Sequence, residues 1–229
     1  MTATYRVLIA DKIAADGLAP LREDSRFELI TKPGLSLPDL TQALTAVDAV
    51  IVRSAAKVPR EAMSATTRLK VIGRAGVGVD TIDVDAATEK GIAVLNAPAG
   101  NTISAAELTM ALMLSLARRV AAADRSMKAG AWDRAKLGGS ELYGKTLGLV
   151  GAGRIGGEVA TRARAFGMRV LIHDPYLHPD RAKSLGAELG TLDQVLAEAD
   201  VLSVHVPLTD GTTGLIGAAL RCSPYESTA

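Results

Sequence analysis

A single cysteine, Cys222, stands in a chain of 229 residues, which excludes an internal disulfide framework and a cysteine-rich metal site. Charge of one sign is lacking too. Lys and Arg number 26 against 25 Asp and Glu, a formal net charge of +1, and with no Lys/Arg block nothing draws the chain generally to nucleic acid or a membrane surface. The longest apolar helical stretch, around Leu108 to Ala117, is too short to span a bilayer. Met1 to Ala10 form a short strand-like segment without the charged-then-apolar pattern of a secretory signal. A cytoplasmic protein is expected. No Ser-His-Asp order, no H-E-x-x-H and no internal repeat is found, and no metal site is expected.

What is present is an ordinary globular composition, 48% hydrophobic and 22% charged, enough for a real core in one or two domains. The first hundred residues alternate β-rich and helical runs, which predicts parallel β/α units. Strands are expected near Arg6–Ala10, Phe27–Ile30, Ala49–Arg53, Val71–Ala75 and Ile92–Asn96. Helices fall between them near Ala14–Arg22, Ser36–Leu44, Arg60–Ala65 and Asp83–Lys90. Ligands of such sheets gather at the carboxyl ends of the strands, where two stretches stand out. Arg53, followed by Ser54, offers a forked donor for a carboxylate or phosphate. In Gly73-Arg-Ala-Gly-Val-Gly-Val-Asp80, Gly76 and Gly78 would leave N–H groups free to form an anion nest. The alternative reading is a surface arginine and a plain turn.

Asn96-Ala-Pro-Ala-Gly100 breaks the pattern and reads as an interdomain connection. A long helix follows, its start marked by the capping box Ser104-x-x-Glu107. Its body from Leu108 to Leu116 is apolar on nearly all sides, which predicts burial between domains or subunits. Lys128 to Tyr143 is Gly-rich and charged around Trp132 and reads as an exposed arm, with the Trp an interface anchor or a local packing residue.

The strongest signal is Gly151-Ala-Gly-Arg-Ile-Gly156, directly after the apolar run Thr146–Val150. The G-x-G-x-x-G spacing puts glycine where the turn is tight, where a pyrophosphate approaches bare backbone, and where helix packs on strand. An amphipathic helix follows through Val159, Ala160, Ala163 and Phe166, and a second strand, Arg169–Asp174, ends in an acid. An acid there accepts hydrogen bonds from ribose hydroxyls and repels a 2′-phosphate, which points to NAD rather than NADP. Gly139-Ser-Glu-Leu-Tyr-Gly144-Lys-Thr146 matches a triphosphate-loop pattern, but no strand precedes it and a strand follows it, so it fails that pattern's own structural test. Of the histidines, His173 and His178 read as packing or solvent-facing, while His205, before Val206 and Pro207 at the end of a strand from Val201, reads as lining the cofactor crevice.

These motifs together resemble the D-2-hydroxyacid dehydrogenase family, and within it the branch that oxidises 3-phosphoglycerate. The resemblance runs to Gly217. It rests on Val52-Arg-Ser-Ala-Ala-Lys-Val58, Gly73–Asp80, Asn101-Thr-Ile-Ser-Ala-Ala-Glu-Leu-Thr109, Met127–Arg134 and Gly144–Gly156. The Asn101 and Trp132 segments favour that branch over the glyoxylate, lactate and formate members. The resemblance implies substrate contacts at Arg53, Ser54, Gly76 and Asn101, with Arg134 reaching a neighbouring subunit's substrate. It implies NAD contacts at Val77, Gly151, Gly153, Arg154, Ile155, Gly156, Asp174, His205, Val206 and Pro207. It also implies a homodimer or homotetramer, with the long helix and the arm in the subunit interface.

The expected organisation is a flavodoxin-like substrate-side domain over 1–99, a partial Rossmann domain, a doubly wound parallel sheet, over 100–217, and an aberrant tail over 218–229. The expected activity, from the resemblance, is NAD-dependent oxidation of 3-phosphoglycerate to 3-phosphohydroxypyruvate, the opening step of phosphorylated serine biosynthesis. The tail departs from the family pattern and looks like an altered reading frame or a truncation. The family's catalytic Arg, Glu and His find no counterpart before it, so no catalytic residue is assigned. The alternatives are a catalytically silent NAD-binding or oligomerising fragment, another D-2-hydroxyacid dehydrogenase, or a transcriptional co-repressor on the same fold, although the basic patches expected of the last are not seen.

Overall fold

The computed structural model describes residues 4–217; the expected aberrant tail and Cys222 lie outside the described residues. The chain divides into two compact units, Met1–Asn101 and Thr102–Ala229.

In the first unit, five strands, β1 (Tyr5–Ile9), β2 (Phe27–Thr31), β3 (Ala49–Val52), β4 (Val71–Arg74) and β5 (Ala93–Asn96), form one sheet in the order β2-β1-β3-β4-β5. Every pairing is parallel, as β/α crossovers require. This is the flavodoxin-like order, with its switch point between β1 and β3. The strands are short and rich in Val, Ile and Leu because both faces are covered. Leu8, Val50, Val52 and Ile72 are fully buried on one face with Leu40 and Leu44, while Val7 and Ile9 pack with Leu18 on the other. The helices are α1 (Ala15–Arg22), α2 (Leu37–Leu44) and α3 (Val84–Glu89). Ser36 caps α2 by accepting from the Asp39 N–H, and Asp83 caps α3 through the Ala86 N–H. The helix expected over Arg60–Ala65 is a single 3-10 turn, Arg60–Met63. Pro59 permits the turn to start, and Ala62 and Met63 are buried at once, so there is no length over which a helical face develops.

The second unit opens with α4 (Thr102–Ala117) and α5 (Val120–Lys128), broken at Arg119, whose φ is +52°. Helix α4 starts at Thr102, so Ser104 lies in its first turn and not at its cap; the expected capping box is corrected. Within the chain the helix is buried on one side. Ala106, Met110, Met113 and Ala117 are buried, whereas Leu108, Leu112 and Leu116, spaced four apart, are 60%, 62% and 79% exposed.

Four parallel strands follow, β6 (Thr146–Val150), β7 (Arg169–His173), β8 (Glu188–Leu189) and β9 (Val201–Val204), in the order β8-β7-β6-β9. That is third, second, first, fourth, the adenosine half of a Rossmann sheet plus the strand across its switch point. The intervening helices are α6 (Arg154–Ala165), α7 (Pro179–Leu185) and α8 (Leu192–Glu198). Helix α4 packs on α6, joining Ala106, Met110 and Met113 to Leu147, Leu149, Ala160 and Ala163 in one core. The triphosphate-like stretch opens β6, and its Lys145 pairs with Asp200 at 3.2 Å. Among the described residues no helix is long and apolar enough to cross a membrane, and no cluster of His, Cys, Asp or Glu could hold a metal ion.

Candidate ligand sites at the strand ends

In the second unit the three glycines of the loop after β6 have three different physical duties. Gly151 has φ +89°, and a Cβ there would lie 2.8 Å from the His205 carbonyl oxygen and from Val206 Cγ1. Both the turn and the close approach of the β9 loop exclude a side chain. Gly156 packs the first turn of α6 onto the loop, since a Cβ would sit 2.3 Å from the Gly151 carbonyl oxygen. Gly153 is different: it precedes α6, is exposed, and a Cβ on it would meet nothing within 4 Å. Bare backbone therefore faces open space where the N-terminal N–H groups of a twelve-residue helix converge, an arrangement suited to phosphate. Arg154 and Ile155 start that helix, and Arg154 is exposed with no carboxylate partner among the described residues.

Asp174 stands at the end of β7 beside this loop. Its Oδ2 accepts from the Ala152 N–H and its Oδ1 from the Tyr176 N–H, both at 2.9 Å. The carboxylate is thus fixed while each oxygen keeps lone-pair capacity for a further donor. His205 follows β9, its N–H donating to the Val150 carbonyl and its Nε2 lying 2.8 Å from Ser203 Oγ. Burial pushes its pKa below the usual imidazole value, so it is neutral at pH 7. His178 caps α7 through the Asp180 N–H and is largely exposed. His173 Nδ1 lies 3.3 Å from the Gly190 carbonyl oxygen. The fourth strand ends at Val204, and beyond it the His205 N–H continues the ladder.

In the first unit, the loops after β1, β2 and β3 enclose a cleft of about 330 Å³ lined by Asp11, Lys12, Pro33, Gly34, Arg53, Ser54 and Ala55. It lies at the carboxyl ends of the strands at the β1/β3 switch point, the place where such sheets bind ligands. Asp11 is a residue that sequence reasoning missed. Only 6% exposed, its Oδ2 accepts from the N–H of Arg53 at 2.6 Å and of Ala56 at 3.0 Å, tying the Arg53 loop to the end of β1. The available signal was an acid directly after a β-rich run, and nothing in one sequence shows which amides it will meet.

Arg6, Arg26, Arg60 and Arg68 of this unit each pair with a carboxylate. Among the described residues Arg53 does not: its only side-chain bond there is a 3.4 Å contact from Nη1 to the Lys12 carbonyl, so its charge is available to a ligand. Beside it, the Ala75 N–H bonds to the Val52 carbonyl, which brings the 74–80 loop against the Arg53 loop. The anion nest expected there needs correction at one position. The Gly76 N–H is taken, donating to the Arg74 carbonyl at 2.8 Å; the chain bends too sharply after β4 for that amide to point outward. The N–H groups of Val77 and Gly78 have no partner among the described residues. Val77, expected at the cofactor, lies in this loop of the first unit. Asn101 ends this unit, and Arg134 begins a 3-10 turn in the exposed arm that also carries Trp132, 77% exposed.

Residues 110–221 match the family model described as D-isomer specific 2-hydroxyacid dehydrogenase, NAD binding domain. The chain is 50% identical over 212 residues to D-3-phosphoglycerate dehydrogenase of Bacillus subtilis, covering 93% of this chain and 40% of the relative. The chain therefore spans about 40% of the length of the curated relatives it matches. Among solved structures, a protein of Thermus thermophilus is similar with TM-score 0.82 and 40% identity, over 92% of this chain and 67% of that one. A glyoxylate reductase from Paecilomyes thermophila is similar with TM-score 0.82 and 32% identity, over 96% of this chain and 70% of that one.

Proposed function

The chain belongs to the D-isomer-specific 2-hydroxyacid dehydrogenase family, and from that premise we propose that it binds NAD in its second unit and 3-phosphoglycerate in its first, as parts of the enzyme that oxidises that acid to 3-phosphohydroxypyruvate. The observation that carries the cofactor reading is the Ala152 N–H to Asp174 bond, which locks the ribose-binding acid to the glycine loop. Gly153 and the start of α6 take the pyrophosphate; Gly151, Gly156, His205, Val206 and Pro207 shape the wall beside it. NAD, when bound, supplies the hydride acceptor. Arg53 with Ser54 holds one anionic end of the substrate, and the Val77 and Gly78 N–H groups serve the other. The match to D-3-phosphoglycerate dehydrogenases favours a phosphorylated acid, while the glyoxylate reductase neighbour marks the second reading, a smaller 2-hydroxy acid.

None of the three described histidines pairs with a buried carboxylate. The reading therefore gives these residues binding and orientation and does not give them the proton transfer, which needs a base positioned at the hydroxyl. The exposed face of α4, Leu108, Leu112 and Leu116, together with Trp132 of the arm, is assigned to contact with a second copy of the chain. Calorimetry of purified 1–229 tests the binding claims. Saturable binding of NAD in preference to NADP, and of 3-phosphoglycerate in preference to glycolate, is expected. Equal affinity for NAD and NADP, or for the two acids, would refute the corresponding half.

A further inference from the structure

At the end of β5 the stretch Asn96-Ala-Pro-Ala-Gly100 reaches across to the loop that follows β4. Asn96 Nδ2 donates to the Val77 carbonyl at 2.7 Å, and the Ala97 N–H donates to the Gly76 carbonyl at 2.9 Å. The two carbonyls held in this way are consecutive. In a trans peptide the C=O of one residue and the N–H of the next lie in one plane and point in opposite directions, and no peptide among the described residues is cis. The Gly76 carbonyl is therefore opposed by the Val77 N–H, and the Val77 carbonyl by the Gly78 N–H. Drawing both carbonyls onto the end of β5 turns both N–H groups away from it. These are the two amides of the loop that have no partner among the described residues, and β3, whose end leads into Arg53, flanks β4 on the edge opposite β5.

We propose that Asn96 is the positioning residue of this amide pair: its side chain, with the Ala97 N–H, sets the direction in which Val77 and Gly78 present their N–H groups to an anion. The proposal rests on the substrate reading above, and Asn96 acts through the loop, without touching the ligand. Backbone N–H groups hold an anion when they converge on it, so their direction is what binding depends on. Of the two ties, the one from Ala97 is made by backbone and is open to any residue except proline. The other needs a short side chain that donates, because the Val77 carbonyl can only accept. Asn96 is exposed, so packing does not ask for asparagine here. Asp80 sharpens the need. Its Oδ1 would lie 2.7 Å from a Cβ on Gly78, so a carboxylate already stands beside the pair, and a loop released from β5 is free to turn its amides to that oxygen instead of to a ligand.

The test uses purified 1–229 and its Asn96→Leu and Asn96→Ala variants; Leu keeps the branched shape of Asn without its donor. Each chain is titrated with 3-phosphoglycerate and separately with NAD, the amide signals of Leu8 and Val50 report on the first unit's core, and the N–H dipolar couplings of Val77 and Gly78 are read in the ligand-free state. Each substitution should raise the Kd for 3-phosphoglycerate about fivefold, in the range for one neutral hydrogen bond. It should shift the couplings of Val77 and Gly78 and leave the Kd for NAD and the core signals unchanged. Unchanged affinity for 3-phosphoglycerate, or affinity lost while the couplings stay as in the parent, would overturn the positioning role. A parent chain that binds NAD but no 3-phosphoglycerate would refute the substrate reading beneath it, and the couplings of the ligand-free chains would then decide by themselves whether Asn96 directs the amides.

Discussion

The two units solve the same problem at the base of their sheets and different problems at the top. At the base, Asp48 precedes β3 and accepts from the N–H of Arg6 in β1 at 2.8 Å, while its own N–H donates to the Arg6 carbonyl. Asp200 precedes β9 and does the same with Thr146 of β6, also at 2.8 Å. In each unit a carboxylate clasps the first strand to the strand across the switch point, with a cation beside it, Arg68 for Asp48 and Lys145 for Asp200. At the top, each unit again uses a carboxylate on a loop amide, but Asp11 steadies a loop that carries Arg53, whereas Asp174 steadies Gly151-Ala152-Gly153, which carries no charged side chain. Sheet order places a ligand site; the loop chemistry selects a charged side chain for a small anion or a helix terminus for a pyrophosphate.

The two clasps differ in burial, and this sets the expected order of effects. The largest lies in the glycine loop. Gly151→Ala forces a side chain into positive φ and against the His205 carbonyl, and should lower unfolding free energy by about 3 kcal/mol, measured by denaturant titration. Asp48→Ala should follow at roughly 2 kcal/mol, because Arg68 holds that largely buried carboxylate through two bonds and the Arg6 N–H is left unpaired. Asp200→Ala should cost less, about 1 kcal/mol, because its side chain is 40% exposed and solvent replaces what is lost. Equal losses at the two clasps would contradict the distinction by burial.

Acid should expose the same difference. The Arg68 guanidinium, with the Arg6 amide, holds Asp48 below the usual carboxylate range; the Thr146 amide, with Lys145, does so for Asp200. Each folded pKa lies below the unfolded value of about 3.9. The native state thus binds protons less readily, and the stabilisation is fully present above that value and lost as pH falls through the folded pKa. Asp48→Asn should flatten the loss of stability below about pH 4 more than Asp200→Asn does, read by Tm against pH. The smallest effect concerns Asp11. Asp11→Asn keeps an acceptor oxygen for the Arg53 and Ala56 amides and should bind 3-phosphoglycerate as the parent does, whereas Asp11→Ala, which frees the loop, should bind it several-fold more weakly.

Much of this was legible in the sequence where local pattern and tertiary demand agree. The run Thr146–Val150, the glycine loop and the acid after β7 form one contiguous β-turn-α-β pattern, and the parallel sheet of the second unit is the partial Rossmann sheet expected. The errors fall where a local signal meets a competing contact. Ser104 and Glu107 spell a capping box, but α4 begins at Thr102, ahead of them. Gly76 reads as a free amide, yet its N–H is consumed by a bend only three-dimensional geometry reveals. Asp11, Asp48 and Asp200 are plain aspartates in sequence. Their partners are 42, 42 and 54 residues away, beyond the reach of any local pattern.

The division of labour between the units is tested most directly by crossing two substitutions with two ligands in calorimetry of purified 1–229. Arg53→Ala should raise the Kd for 3-phosphoglycerate about tenfold or more and leave that for NAD unchanged, while Asp174→Ala should weaken NAD by about 1–3 kcal/mol and leave 3-phosphoglycerate unchanged. If either substitution moved both affinities together, or if the pattern were reversed, the assignment of substrate to the first unit and cofactor to the second would be contradicted.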